Sequence, residues 1–194
     1  MQAIFPFLIL AAIVGTIVFR NYRRRKVAVI QSPRFCILNL NGEMANSLVA
    51  SDSGALGMVL GKPQYSSTVP PSCDVLFVYC DIASNGEVSN YRGNLRDLIQ
   101  ASGARVVVVA SENRGEAYIA STKGRTHGRA NLVMTIRRKG VAFPQFFSRL
   151  FEDMKRGVSM PVAWVKLAPQ GPVKEHESLP EMIFACEAGQ LAFK

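Results

Sequence analysis

Cysteine and histidine are scarce and badly spaced for chemistry. The 194-residue chain has four cysteines, Cys36, Cys73, Cys80 and Cys186, with no C-x-x-C pair, and its two histidines, His127 and His176, are far apart. Zinc-ligand spacing is therefore missing, and no metal site is expected. The cysteines do not form the dense framework of a small disulfide-stapled domain, and no disulfide is expected. Acidic residues are few, 14 against 23 lysines and arginines, giving a formal charge of +9. Five of those nine charges come from Arg20, Arg23, Arg24, Arg25 and Lys26, which leaves about +4 on the remainder. No later lysine and arginine stretch is interleaved with aromatics, so a nucleic-acid partner is not expected. A phosphate loop is lacking too. In Gly57-Met58-Val59-Leu60-Gly61-Lys62 the glycines are one residue too close, and Pro63 stands where Ser or Thr would hold magnesium. No cofactor is expected.

What the sequence does have is a charge-free beginning. No charged side chain occurs in residues 1–19, and residues 4–19 read IFPFLILAAIVGTIVF before the basic run. About twenty apolar residues in a helix span a bilayer's hydrocarbon core, so residues 1–20 are expected to be one transmembrane helix. A cleavable signal has its positive charge before the apolar run and a small-residue cleavage site after it, and neither feature is here. Cationic residues beside a span remain on the cytoplasmic side and are attracted to the anionic leaflet. The expectation is a single-pass inner-membrane protein with its N-terminus outside, a basic tether over residues 21–34 and a cytoplasmic domain over residues 35–194. Ala11 and Gly15 form a small-xxx-small pair of the kind that lets two spans approach closely as a homo-oligomer.

The domain is large enough for one hydrophobic core. Residues 35–40 read as a strand, and residues 73–80 and 105–110 are near-continuous apolar runs of strand length, the form of strands buried on both faces. Between the last two, residues 91–101 place Leu95, Leu98 and Ile99 on one helical face before Gly103. Strand, helix, buried strand predicts a βαβ unit, and with it an α/β fold: a three-layer, mostly parallel sheet flanked by helices. A third apolar strand is expected at 131–136, an amphipathic phenylalanine-rich helix at 143–157, and a short helix at 162–167 that buries Trp164. Residues 51–71 are expected to be a structured loop with a short strand near 58–60. Residues 112–129 read as a loop with a turn of helix, and residues 182–186 and 190–193 as a closing hairpin.

In a parallel sheet, sites form beyond the carboxyl ends of the strands. The two loops in that place are residues 80–87, with Asn85-Gly86-Glu87, and residues 110–115, with Ala110-Ser111-Glu112-Asn113-Arg114-Gly115. With the phenylalanine-rich helix that closes in Lys155-Arg156-Gly157, this order resembles the CHAT and caspase-like fold of histidine-cysteine peptidases over residues 73–168. In that family one strand ends in His-Gly and the next in Ala-Cys followed by Gly. The resemblance implies a histidine base where this chain has Asn85 and a thiolate where it has Ser111. An amide cannot take a proton near neutral pH, and a serine hydroxyl needs a nearby base to react.

The expectation is therefore a non-catalytic, signalling pseudo-peptidase of the membrane-anchored kind common in bacteria. It would bind a protein partner around Asn85, Ser111, Arg114 and Arg125. Two alternatives stand beside it: a cysteine-type hydrolase with a rearranged Cys80 and His127 dyad, and an oligomerising effector that disrupts membranes. Asp81, Glu87, Glu112 and Glu116 could also gather near the crevice and hold a cation. A TIR or receiver-type domain shares the opening of residues 74–79, but neither a catalytic glutamate nor an acidic pair with a downstream lysine can be assigned.

Overall fold

The computed structural model describes residues 26–122, 130–168 and 179–194. The expected span at 1–20, its flank Arg20, Arg23, Arg24 and Arg25, and the Ala11 and Gly15 pair lie outside the described residues, as do Arg125, His127 and His176. Among the described residues no helix is long and apolar enough to cross a membrane.

The element order is β1 (Ala28–Ile30), β2 (Phe35–Asn39), a 3-10 turn (Gly42–Ala45), α1 (Asn46–Leu60), β3 (Gln64–Ser66), β4 (Val75–Tyr79) and α2 (Leu95–Ser102). Then come β5 (Val106–Val109), α3 (Gly115–Thr122), β6 (Asn131–Arg137), α4 (Ala142–Lys155), α5 (Met160–Leu167), β7 (Glu181–Cys186) and β8 (Leu191–Phe193). The fold is α/β. Its main sheet has the order β3-β2-β4-β5-β6-β7, parallel throughout except for β7, which runs antiparallel to β6. The two valine-rich strands β4 and β5 are neighbours, with Val75 opposite Val106 and Val78 opposite Val109. All their residues are buried, as the continuous apolar runs require of strands covered on both faces.

The covering layers divide by strand parity. Val75, Phe77 and Tyr79 point to one face, where they pack with Leu56 of α1, the phenylalanines of α4 and Ala163 of α5. Leu76 and Val78 point to the other, against Leu95, Leu98 and Ile99 of α2 and Ala117 of α3. Phe77 is the centre of the first layer: its ring lies 5.6 Å from Phe35, 5.3 Å from Phe147 and 6.2 Å from Phe151, each edge to face. Such pairs add about 0.5–1.5 kcal/mol each to what burial supplies. On the opposite face α2 begins where Asn94 accepts the amides of Arg96 and Asp97 at 2.8 and 3.1 Å, while Asp97 accepts the amide of Asn94 at 3.0 Å. That capping box satisfies donors the helix cannot. Gly103, at φ 65°, closes the helix in the left-handed region.

Five local expectations are corrected. Residues 51–60, the first part of the stretch 51–71 expected as a structured loop with a short strand near 58–60, belong to the helix α1, and the short strand comes later as β3. Gly54 and Gly57 each cost a helix about 1 kcal/mol against alanine. Burial of Leu56 and Val59 against the rest of the domain outweighs that local preference. The closing hairpin does not form. Its first arm, β7, joins β6, and its second, β8, pairs in parallel with β1 in a separate two-stranded sheet. Asn131 holds the corner between them, donating to the Gly189 carbonyl at 2.9 Å and accepting the Ala188 amide at 3.1 Å. β1 itself falls within the expected tether. Finally, α3 makes eight residues of helix where a single turn was expected, and Trp164 is only half-buried, set between Phe146 and Phe184.

Candidate functional site

The loops that follow β2, β4, β5 and β6 meet at the carboxyl edge of the sheet. There the Asn41 side-chain amide donates to Asp81 Oδ1 at 3.2 Å and to Ser111 Oγ at 3.3 Å. One asparagine after β2 thus bridges the loops after β4 and β5. Asn113 fixes those two loops to each other. Its oxygen accepts the Ile82 amide at 2.8 Å, and its nitrogen donates to the Cys80 carbonyl at 3.3 Å and to the Ser111 carbonyl at 3.0 Å. Asn90 donates to the Leu40 carbonyl at 2.7 Å and ties the first loop to the far end of the second. The crevice floor is therefore held by asparagine amides, with Asp81 exposed and Ser111 buried.

Beneath the floor lies a charged network. Asp52 of α1, fully buried, accepts a hydrogen bond from the Tyr79 hydroxyl and a 2.7 Å bond from an Arg138 guanidinium nitrogen. Arg138 also donates at 2.7 Å to the carbonyl of Ala110, the residue before Ser111, and its backbone amide donates at 2.8 Å to the Glu112 carboxylate. Its guanidinium carbon sits 3.9 Å over the Phe143 ring. Among the described residues, Arg138 Nε and Thr135 Oγ1 are buried without a hydrogen-bond partner. Burial raises the Asp52 carboxyl above its ordinary value, against the opposing pull of Arg138 and Tyr79. Burial raises the Tyr79 hydroxyl too, with the Asp52 charge adding to it. This ion pair anchors α1 and β6 to the strand end that presents Ser111.

The expected site residues are only partly brought together. Ser111 is in the crevice; Asn85 is at the tip of a small hairpin closed by the Ile82–Val88 bridge, where its side chain accepts the Glu87 amide at 3.1 Å. Gly86 next to it has φ 91°, and a Cβ there would come within 3.2 Å of the Ala120 backbone, so the hairpin rests against α3. Arg114 is exposed at the start of α3. Asp81, Glu87, Glu112 and Glu116 are all exposed, and among the described residues no three His, Cys, Asp or Glu side chains gather as a metal would require. Cys80 is fully buried, and burial, with the Asp81 charge behind it, pushes its thiol up to about 12. Sequence reasoning passed over Asn41, Asp52 and Arg138. Asp52 left a trace, as the sole ionisable residue of a helix-length uncharged stretch.

Chemically the crevice can donate and accept hydrogen bonds. Ser111 Oγ has the Asn41 amide beside it, and an amide takes no proton from a hydroxyl near neutral pH. No family model, curated protein or solved structure matches the chain.

Proposed function

We propose that the chain is a membrane-anchored cytoplasmic module of the CHAT or caspase-like type that binds a protein partner at the crevice and does not catalyse. The observation that carries this reading is the surroundings of Ser111. The residue standing where the family has its thiolate is hydrogen-bonded to an asparagine amide, and the residue in the histidine's place, Asn85, accepts a backbone amide in its own turn. The adjacency of β4 and β5, each ending in one of these loops, is what the resemblance needs. The anchor rests on the apolar run at 4–19 and on Arg20, Arg23, Arg24, Arg25 and Lys26, which would face anionic lipid. A hydrolase built on Cys80 has less support, because its thiol is sealed in the core and held protonated.

Partner binding is tested with a photo-reactive amino acid placed at Asn85 or Arg114 in the full chain in its own cells. A discrete cross-linked partner that is lost on Ser111→Arg, and retained when Cys80 and His127 are both changed to alanine, is the expected result. Cross-linking that depends on Cys80 would favour the hydrolase instead. For the anchor, the full chain is expected to sediment with membranes through a high-salt wash, and recovery in the soluble fraction would remove that half of the reading.

A further inference from the structure

Helix α1 carries an exposed face with no charge on it. A surface helix ordinarily turns charged side chains to water, yet the one ionisable residue among Asn46–Leu60 is Asp52, which is buried and paired with Arg138. The outward row runs Met44, Ser47, Ser51, Gly54 and Met58, every one exposed and spaced three and four residues apart. Met44 (83% exposed) and Met58 (84%) are the two most exposed large hydrophobic residues among the described residues. Between them are small side chains, and a Cβ built at Gly54 meets nothing within 4 Å. Alongside runs an open groove of about 670 Å³ that Val49, Gly57, Lys62 and Tyr65 help to line.

Within the row each methionine lies seven residues from Ser51, one before it and one after. We propose that this face is the interface of a two-fold homodimer, in which the α1 helices of two copies pack antiparallel across Ser51 and Gly54. In that arrangement Met44 of one copy enters the groove beside Met58 of the other, and the small central residues let the backbones approach closely. Charge favours a second copy of this chain over an unrelated partner. Glu43 precedes Met44 by one residue and Lys62 follows Met58 by four, so antiparallel packing centred between Ser51 and Gly54 puts the carboxylate of each copy near the ammonium of its mate. An isologous interface needs such self-complementarity, since each feature must meet its opposite on an identical surface. The surface does not depend on the proposed anchor, although two anchored copies would meet at a raised effective concentration.

Light scattering on the full chain in detergent at tens of micromolar tests this. The wild type is expected to have the mass of two chains, and Gly54→Arg the mass of one, with a thermal midpoint no lower than wild type because the new side chain has open space. Met58→Glu serves as a second disrupting variant. Glu43→Lys is expected to weaken the dimer ~10-fold or more, and Glu43→Lys with Lys62→Glu to restore it. With Cys186→Ser as background, Met44→Cys plus Met58→Cys is expected to yield a disulfide-linked dimer under mild oxidant. A monomeric wild type overturns the proposal, whether or not this face then captures a lipid surface or another protein. So does a dimer that Gly54→Arg and Met58→Glu leave intact but Gly15→Leu dissolves, which would belong to the span. If the chain proves soluble without detergent, the anchor reading fails, and the same comparison in buffer decides the dimer on its own.

Discussion

Single side chains decide what the crevice can do. A nucleophile must be exposed to its substrate and able to lose its proton. With its thiol pushed up to about 12 by burial, Cys80 stays protonated at pH 8. Cys36 and Cys73 are buried and raised as well; the Cys186 thiol is also raised, but it is exposed. Iodoacetamide at pH 8 is therefore expected to label Cys186 in the folded chain and to leave the other three until denaturant is added. Mass spectrometry that finds rapid native labelling at Cys80 would contradict its placement. Asp52 gives a second prediction. Its folded carboxyl titrates above its ordinary value of 3.8, so between those two values the native state holds a proton that the unfolded chain has released. The stability from this group is complete below 3.8 and is lost as pH rises through the folded value. The difference in urea stability between wild type and Asp52→Asn should accordingly fall as pH is raised from about 4, and a rising difference would reverse the assignment. Arg138→Met, which strands the carboxylate, is expected to cost about 3–5 kcal/mol by denaturant titration at neutral pH.

Among the elements, those whose residues carry their own period were legible in the sequence. The strands β4 and β5 announced themselves as runs buried on both faces, and α4 through phenylalanines recurring on one side. Phe147 sits fully buried between Phe77, Phe143 and Phe151, so Phe147→Ala is expected to destabilise by about 3–5 kcal/mol. A loss under 1 kcal/mol in chemical denaturation would mean that the aromatic layer is not the core. What could not be read was decided by partners distant in sequence. The helix α1 is rich in glycine and serine with no helical stripe, and it forms because Leu56 and Val59 are buried and Asp52 finds Arg138, 86 residues on. The β8 strand looked like a hairpin arm because Gly189 marks a turn, but its partner is β1, at the far end of the domain. The candidate site was half visible for the same reason. Ser111 and Asn85 follow strands that could be recognised, whereas Asn41 reaches Ser111 across 70 residues, a meeting that only the strand order β2-β4-β5 brings about.

At the level of the whole molecule, an apolar leading segment precedes a mostly parallel sheet whose crevice is furnished with amides. The central claim is that the crevice binds without turnover. The most direct test is to incubate the purified full chain with a mixed peptide library at neutral pH and follow cleavage by mass spectrometry beside Ser111→Ala and Cys80→Ala. The account predicts no cleavage above the buffer blank and no difference among the three proteins. Cleavage by the wild type that either substitution abolishes would contradict it.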